Sequence, residues 1–272
     1  MLRTLHLVYP VLATLAMAVV FQSVVEGVML PQPPVTPLEE SGGGITELVS
    51  PTPYLNTLTV LAVVFAGSML MIALMRYRRV LRFFVMAVLF MTSFAVTFFY
   101  VLLTFDVDLN VVSLLSGLLG LAVVLGVFSS KEYVNVVASA YVASSCGVVF
   151  GSSMPFWTSL VLLVAIAVYD FVAVFKGHLK MLGKIDMNDV KGLVVNFQGL
   201  SIGLGDLFFY TVLFSFVTTN FGWLPGMASL AGLVAGYLLT LRLAEKRPVF
   251  PGLPITIMTA LAISLAVYFL LL

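Results

Sequence analysis

Residues 199–206 read GLSIGLGD and lie inside an apolar run that continues to Val217. The motif ends at Asp206, an ionisable side chain in a segment otherwise suited to a lipid bilayer. A carboxylate near the bilayer centre costs at least ~2.5 kcal/mol on insertion scales, so its default interpretation is a functional site with a partner. One other acid lies deep in an apolar run, Asp170 within Leu162–Val174. The sequence therefore predicts two membrane carboxylates on successive helices.

The composition indicates a polytopic membrane protein. Hydrophobic residues make up 61% of the 272 residues and charged residues 9%, with a mean hydropathy of +1.16, whereas about a quarter of a soluble domain is charged. The net charge of +1 gives no indication of nucleic-acid binding. Cys146 is the one cysteine, which excludes an intrachain disulfide, and no HExxH motif is present for a zinc protease. We expect one membrane domain over residues 1–272, with no cofactor and no metal.

Nine segments have the length and apolarity of a membrane-spanning helix, which needs about 20 residues. They are Leu5–Leu30, Leu58–Met75, Val80–Phe105, Val111–Phe128, Tyr133–Phe150, Phe156–Val174, Leu200–Thr218, Met227–Leu243 and Leu253–Leu272. The predicted fold is all-α, with helices one to six in residues 1–175 and helices seven to nine in residues 199–272. A cytoplasmic loop is expected at 176–198, and a flexible loop rich in proline and glycine at 31–53.

The basic residues indicate the orientation, because cytoplasmic loops carry an excess of Lys and Arg. With nine spans, all thirteen Lys and Arg fall on one face of the membrane. The other face holds five acids and no basic residue: Glu39, Glu40, Glu47, Asp106 and Asp108. We expect a cytoplasmic N-terminus and an outside C-terminus, in the cell membrane if the protein is prokaryotic.

The topology allows the two carboxylates to meet. Asp170 lies six residues before Lys176, about 9 Å along a helix axis, and the sixth helix runs inward while the seventh runs outward. If residues 199–210 are helical, Gly199, Gly203 and Asp206 share a face, and small residues let membrane helices approach closely. Such a pair fits a proton-coupled transporter or ion channel as well as a protease. Transporters often contain an internal repeat, and none is visible in this sequence.

Three short motifs favour a protease over a transporter or ion channel. Tyr169-Asp170 lies on span six, Gly203-Leu204-Gly205-Asp206 on span seven, and Pro251-Gly252-Leu253-Pro254 opens span nine. In this order and on these spans they resemble the YD, GxGD and PAL motifs of the presenilin and signal peptide peptidase family of intramembrane aspartyl proteases. One departure is Gly252, where that family has alanine. A prepilin-peptidase-like protease also uses GxGD, but it would not be expected to add the third motif on a ninth helix.

The resemblance implies that Asp170 and Asp206 are catalytic. It also implies supporting roles for a set of neighbouring residues: Tyr169, Gly203, Gly205, Pro251, Gly252, Leu253 and Pro254. Adjacent carboxylates share a proton, so one can take a proton from an attacking water while the other donates to the departing group. The substrates would be transmembrane helices of proteins embedded in the same lipid bilayer.

A substrate helix must unwind before its peptide bond is cut, and its freed backbone groups then need partners that lipid does not offer. The prolines at 251 and 254 interrupt the helix and leave backbone groups with which an added strand could pair. The simpler interpretation is that they only begin a helix. The cytoplasmic N-terminus matches presenilins, and the short loops favour a compact prokaryotic presenilin homologue. The sequence leaves homo-oligomerisation open.

Overall fold

The computed structural model describes residues 6–40, 44–175, 192–244 and 251–271. Within these ranges the chain forms ten α-helices and one two-stranded β-sheet. In chain order they are α1 Tyr9–Val25, α2 Ile45–Val49, α3 Thr52–Leu74, α4 Arg78–Thr104, α5 Leu109–Val127, α6 Glu132–Ser153, α7 Phe156–Phe175, β1 Val194–Phe197, β2 Leu200–Gly203, α8 Leu204–Phe221, α9 Trp223–Ala244 and α10 Leu253–Leu271.

The predicted all-α membrane fold is confirmed. In the described part of the chain, eight helices, α3 to α10, are long and apolar enough to cross a bilayer. The apolar helix α1 has 17 residues and occupies the first predicted span. Each of the nine predicted spans thus contains one apolar helix, and the short helix α2 lies in the proline-rich segment between the first two. The protein is an integral, multi-pass membrane protein.

The β-hairpin was not predicted. We expected residues 200–203 to begin the seventh span, but they form β2, and the helix starts at Leu204. The reason is local: Gly199 and Gly203 disfavour a helix, while Val194, Val195 and Ile202 favour a strand. The expected loop at 176–198 therefore contains β1, and its residues 176–191 lie outside the described residues.

The chain forms two compact units. The first comprises Met1–Val28, Leu74–Val148 and Asp186–Thr211, and the second comprises Met29–Ala73, Val149–Ile185 and Val212–Leu272. In the first unit α4 packs on α5, where a Cβ on Gly120 would lie 3.2 Å from the Phe90 ring. The Phe21 ring of α1 contacts the Tyr100 ring at a centroid distance of 4.6 Å.

In the second unit the segment before α2 is fixed to the start of α7. One carboxylate oxygen of Glu40 accepts a hydrogen bond from the Trp157 N–H at 3.0 Å, and the other accepts one from the Thr158 N–H at 2.7 Å. The Asn56 side chain bonds both backbone groups of Leu38. Because the first N–H groups of a helix lack partners within it, Glu40 supplies the missing acceptors for α7, the helix that carries Asp170.

The second half of α3 is largely accessible, since no side chain between Ala62 and Leu74 is buried. Its residues are almost all apolar, and the side chains of Phe65, Met69 and Ile72 are each at least half exposed. In a membrane protein such a surface faces lipid or another apolar helix.

Candidate active site

A tight hairpin leads directly into the helix that carries Asp206. β1 and β2 pair antiparallel, with Val194 opposite Gly203 and Phe197 opposite Leu200. The two turn residues between them both have positive φ, 48° at Gln198 and 80° at Gly199, as a two-residue type I′ turn requires. The Leu204 N–H then donates to the Leu193 carbonyl at 2.9 Å. The strand pairing thus continues up to the first residue of α8.

Side chains of the first unit hold this hairpin in place. The Phe197 ring stacks on the Tyr9 ring at a centroid distance of 5.3 Å and meets the Tyr133 ring edge-on at 5.3 Å. At the turn, the Glu132 carboxylate accepts a hydrogen bond from the Gln198 N–H at 3.1 Å. The position of the hairpin is therefore fixed by α1 and by the start of α6.

Asp206 is the third residue of α8 and is half-buried. A carboxylate in the first turn interacts favourably with the positive end of the helix dipole. A Cβ built on Gly203 would lie 3.4 Å from Asp206 Oδ2 and 3.6 Å from Oδ1, whereas a Cβ on Gly205 would meet nothing within 4 Å. The carboxylate thus lies against the last residue of β2, and the glycine at 203 leaves the space beside it free of side chains.

The predicted helical face of Gly199, Gly203 and Asp206 is wrong, because Gly199 lies in the turn and Gly203 in β2. The close approach of α8 is made on α6 instead. A Cβ on Gly147 would collide with the Thr211 hydroxyl, which donates to the Ala143 carbonyl at 3.0 Å. Small residues do bring a neighbouring helix close to α8, but that helix is the fifth predicted span. The spacing Gly147-x-x-x-Gly151 could have indicated it.

Asp170 lies near the end of α7 and is half-buried. Its Oδ2 accepts a hydrogen bond from the backbone N–H of Leu253 at 3.1 Å. Leu253 is the first residue of α10. The structure therefore brings Asp170 together with the segment Pro251–Pro254, two parts of the chain that the sequence placed in one site.

The sequence Pro-Gly-Leu-Pro explains this contact. The first N–H groups of a helix have no partner within it, and lipid cannot supply one. Pro251 and Pro254 carry no N–H, so Gly252 and Leu253 provide the two amide donors of this segment. The Leu253 amide bonds Asp170. The segment begins a helix, as the simpler interpretation held, and it also holds a membrane carboxylate through its backbone.

Two predictions about the site, the role of Tyr169 and the pairing of the two carboxylates, stay open. The Tyr169 side chain is 42% exposed, and its supporting role stays a prediction. Asp206 belongs to the first unit, while Asp170 and Pro251–Pro254 belong to the second; the meeting of the two carboxylates also stays a prediction. Among the described residues, no group of three or more His, Cys, Asp or Glu side chains is arranged to hold a metal ion.

Fold and site together define a multi-pass membrane protein with one carboxylate at the start of a helix and another held by a backbone amide. The family model for signal-peptide peptidase, presenilin aspartyl protease matches residues 17–194. This is more than half of the chain, which belongs to that family. The matched range includes Asp170 and ends before Asp206. The resemblance seen in the three motifs is thereby confirmed at the level of the family.

Individual relatives agree with this assignment. Presenilin-B of Dictyostelium discoideum is 31% identical over 186 residues, which cover 61% of this chain and 38% of that protein. The match therefore spans well under half the length of this curated relative. Two solved structures of a presenilin family intramembrane aspartate protease, in C222 and P2 space groups, superpose with TM-scores of 0.71 and 0.68. They cover 98% and 97% of this chain at 20% and 21% identity, so they establish the fold.

Proposed function

We propose that this protein is an intramembrane aspartyl endopeptidase of the GxGD type, which hydrolyses peptide bonds within transmembrane segments of other proteins. The observation that carries the proposal is the bond from the Leu253 N–H to Asp170 Oδ2, 3.1 Å long. It joins two of the three motifs through a polar contact in a membrane helix. An ionisable side chain fixed in this way is costly and marks a functional site.

In the proposed mechanism Asp170 and Asp206 act as a pair. Two nearby carboxylates do not ionise together easily and share one proton. The ionised member takes a proton from a water molecule as the water attacks the peptide carbonyl, and the protonated member donates a proton to the developing oxyanion or amine. The titration belongs to the pair, so neither residue is assigned as base or acid.

The local structure of each carboxylate supports this role. The amide of Leu253 fixes the orientation of Asp170. Asp206 lies in the first turn of α8, directly after a hairpin whose turn is bonded to Glu132. Catalysis depends on such prior positioning, because a reacting group misplaced by about 1 Å can cost about 100-fold in rate.

The hairpin is the proposed binding element for an unwound substrate. β2 pairs with β1 along one edge, and in an antiparallel ladder alternate residues direct their N–H and C=O groups to the other side. An extended substrate can add there as a third strand, three residues before Asp206. The segment Pro251–Pro254 is less suited to this role than the sequence suggested, because the amide of Leu253 already bonds Asp170.

Strand addition also makes the direction of the substrate matter, because reversing a strand changes its hydrogen-bond pattern. With the N-terminus of the enzyme in the cytoplasm, as the basic residues indicate, we propose that substrates with an outside N-terminus are preferred and are cut in their cytoplasmic half. This orientation is the one that the resemblance to presenilins implies.

The test uses the purified full chain in proteoliposomes of known sidedness, with one single-span test protein inserted in either direction. Mass analysis of the fragments gives the cut site. We expect cleavage of the outside-N-terminus form, and no cleavage by Asp170→Asn or Asp206→Asn, since Asn keeps the shape of the side chain but does not ionise. Normal cleavage by either variant would refute the two-carboxylate mechanism. Faster cleavage of the inverted substrate would refute the proposed direction.

A further inference from the structure

We propose that Thr256 of α10, packed against Gly236 of α9, is a positioning residue that holds the Gly252–Leu253 peptide group on Asp170. The inference rests on the proposed function, in which Asp170 is catalytic. It concerns side chains that none of the three sequence motifs contains. The chain of contacts lies within the second unit and runs through α9, α10 and the end of α7.

Helices α9 and α10 lie against each other with almost no side chain between them. A Cβ on Gly232 would be 2.6 Å from the Cα of Ala260, and a Cβ on Gly236 would be 2.7 Å from the Cα of Thr256. These pairs advance by four residues on each helix in opposite directions, as expected for an antiparallel pair. The next step of the same register pairs Thr240 with Gly252. The glycine face of α9 therefore points at the start of α10, where the amide that bonds Asp170 lies.

Thr256 is the polar side chain at the centre of this contact. It is fully buried, and its hydroxyl donates to the Gly252 carbonyl at 2.9 Å. The Thr240 hydroxyl lies 3.4 Å from the Thr256 hydroxyl and donates to the Gly236 carbonyl at 3.0 Å. Because Gly236 leaves no room between the helices, Thr256 has little freedom to move away from Gly252.

The Gly252 carbonyl and the Leu253 N–H belong to the same peptide group. A peptide group is planar and rigid, with its C=O and N–H pointing in opposite directions. Thr256 bonds the oxygen end of this plane at 2.9 Å, and Asp170 bonds the nitrogen end at 3.1 Å. Fixing the carbonyl therefore fixes the direction of the N–H, and hydrogen bonds in a chain also strengthen one another. Thr256 therefore acts on Asp170 through this peptide group and does not contact the carboxylate directly.

The simpler interpretation is that Thr256 only satisfies its own hydroxyl. Ser and Thr in membrane helices commonly bond a carbonyl one turn back. Ser264 on the same helix does this: it is buried, and its hydroxyl donates to the Leu261 carbonyl at 3.0 Å. Because Leu261 lies two turns beyond the Pro251–Pro254 segment, Ser264→Ala is a matched control that removes a buried hydroxyl from α10 without affecting the peptide group.

The experiment measures two properties of the full-length protein and of three variants: Thr256→Val, Thr256→Ser and Ser264→Ala. The first is amide hydrogen exchange in the segment from Pro251 to Thr256, with the rest of α10 as internal reference. The second is kcat and KM for a single-span test substrate. For Thr256→Val we expect exchange at Leu253 to rise about ten-fold and kcat to fall about ten-fold, with little change in KM. Thr256→Ser should restore both values, and Ser264→Ala should leave both near wild type.

Several results would overturn the proposal. They are wild-type exchange at Leu253 in Thr256→Val, equal effects of Ser264→Ala, failure of Thr256→Ser to restore protection, and faster exchange along the whole of α10. The last result would mean that Thr256 stabilises the helix in general. If the wild-type protein cleaves no substrate, the proposed function fails, and the exchange measurement still decides whether Thr256 holds the peptide group on Asp170.

Discussion

The space beside Asp206 is the feature of the site most directly open to test. Gly203 ends β2, and a Cβ at this position would lie 3.4 Å from Asp206 Oδ2 and 3.6 Å from Oδ1. That is ordinary van der Waals contact, so Gly203→Ala should be accommodated. In Gly203→Leu the next carbon lies about 1.5 Å further on. If it points at the carboxylate it comes within about 2 Å of an oxygen, and the carboxylate must move by about 1 Å to avoid it.

A displacement of that size is expected to lower turnover strongly. Misplacing a reacting group by about 1 Å can cost about 100-fold in rate, which corresponds to about 2.7 kcal/mol in the activation free energy. We therefore predict that kcat of Gly203→Leu falls about 100-fold, while Gly203→Ala stays within about ten-fold of wild type. The physical reason is contact with Asp206 itself, not the close approach of helices that a helical face containing Gly203 would have implied.

The assay is cleavage of a single-span test protein in detergent or proteoliposomes, with thermal unfolding measured on the same samples. Gly117→Leu in α5 is the matched control, because a Cβ at Gly117 meets nothing within 4 Å. A substitution of similar size change at Leu204, the neighbouring residue, separates the effect of position from that of size. Equal losses in Gly203→Leu and Gly117→Leu, or normal turnover of Gly203→Leu, would refute the reasoning.

Three further predictions concern stability and are measured as thermal unfolding of the purified protein in detergent. Gly147→Val should destabilise the protein by about 1–3 kcal/mol, the usual cost of overpacking, because a Cβ at position 147 collides with the Thr211 hydroxyl. An unchanged unfolding temperature would contradict the close approach of α6 and α8. Gln198→Gly should stabilise the hairpin by about 1 kcal/mol, since φ is 48° there and glycine adopts positive φ without steric strain; a loss of stability would argue against the turn. Glu40→Gln should cost about 1 kcal/mol through the weakened cap on α7, whereas Glu39→Gln should cost much less, and equal effects would contradict the capping role.

Much of the fold could be predicted because lipid imposes a simple rule on the sequence. A spanning helix must present about 20 apolar residues and satisfy its backbone internally, so each span is visible as a continuous run. Leu109–Val127 and Leu253–Leu271 were located to within two residues at each end. Asp170 and Asp206 stood out for the same reason, since charges are rare in such runs.

The hairpin could not be located by this rule. Residues 194–206 join a polar loop to an apolar run, and a short apolar run does not distinguish a strand from the start of a helix. A local signal was present, because Gln198-Gly199 separates two four-residue segments that contain Val194 and Val195 on one side and Ile202 on the other. The spacing of the glycines in the motif predicts a helical face, whereas in the structure Gly199 lies in the turn and Gly203 leaves room for Asp206.

Contacts between distant parts of the chain are even harder to predict from the sequence. Glu40 reaches Trp157 and Thr158 across more than a hundred residues, and no spacing rule connects a loop acid to the start of a particular helix. The acid was visible, and so was the helix start. What was missing was the packing that brings them within hydrogen-bond distance.

The hydrogen bond between Leu253 and Asp170 can be predicted in part from the sequence, and the rest of its geometry is visible only in the structure. The spacing Pro251-Gly252-Leu253-Pro254 predicts a helix start with two available amides, because proline carries no N–H, and lipid requires that both find an acceptor. The sequence therefore demands a polar partner for α10 inside the membrane, and Asp170 is one of the few side chains that could provide it. Which residue holds the peptide group from its other end follows from the close packing of Gly236 on Thr256. A motif of four residues thus depends for its geometry on a glycine in the preceding helix.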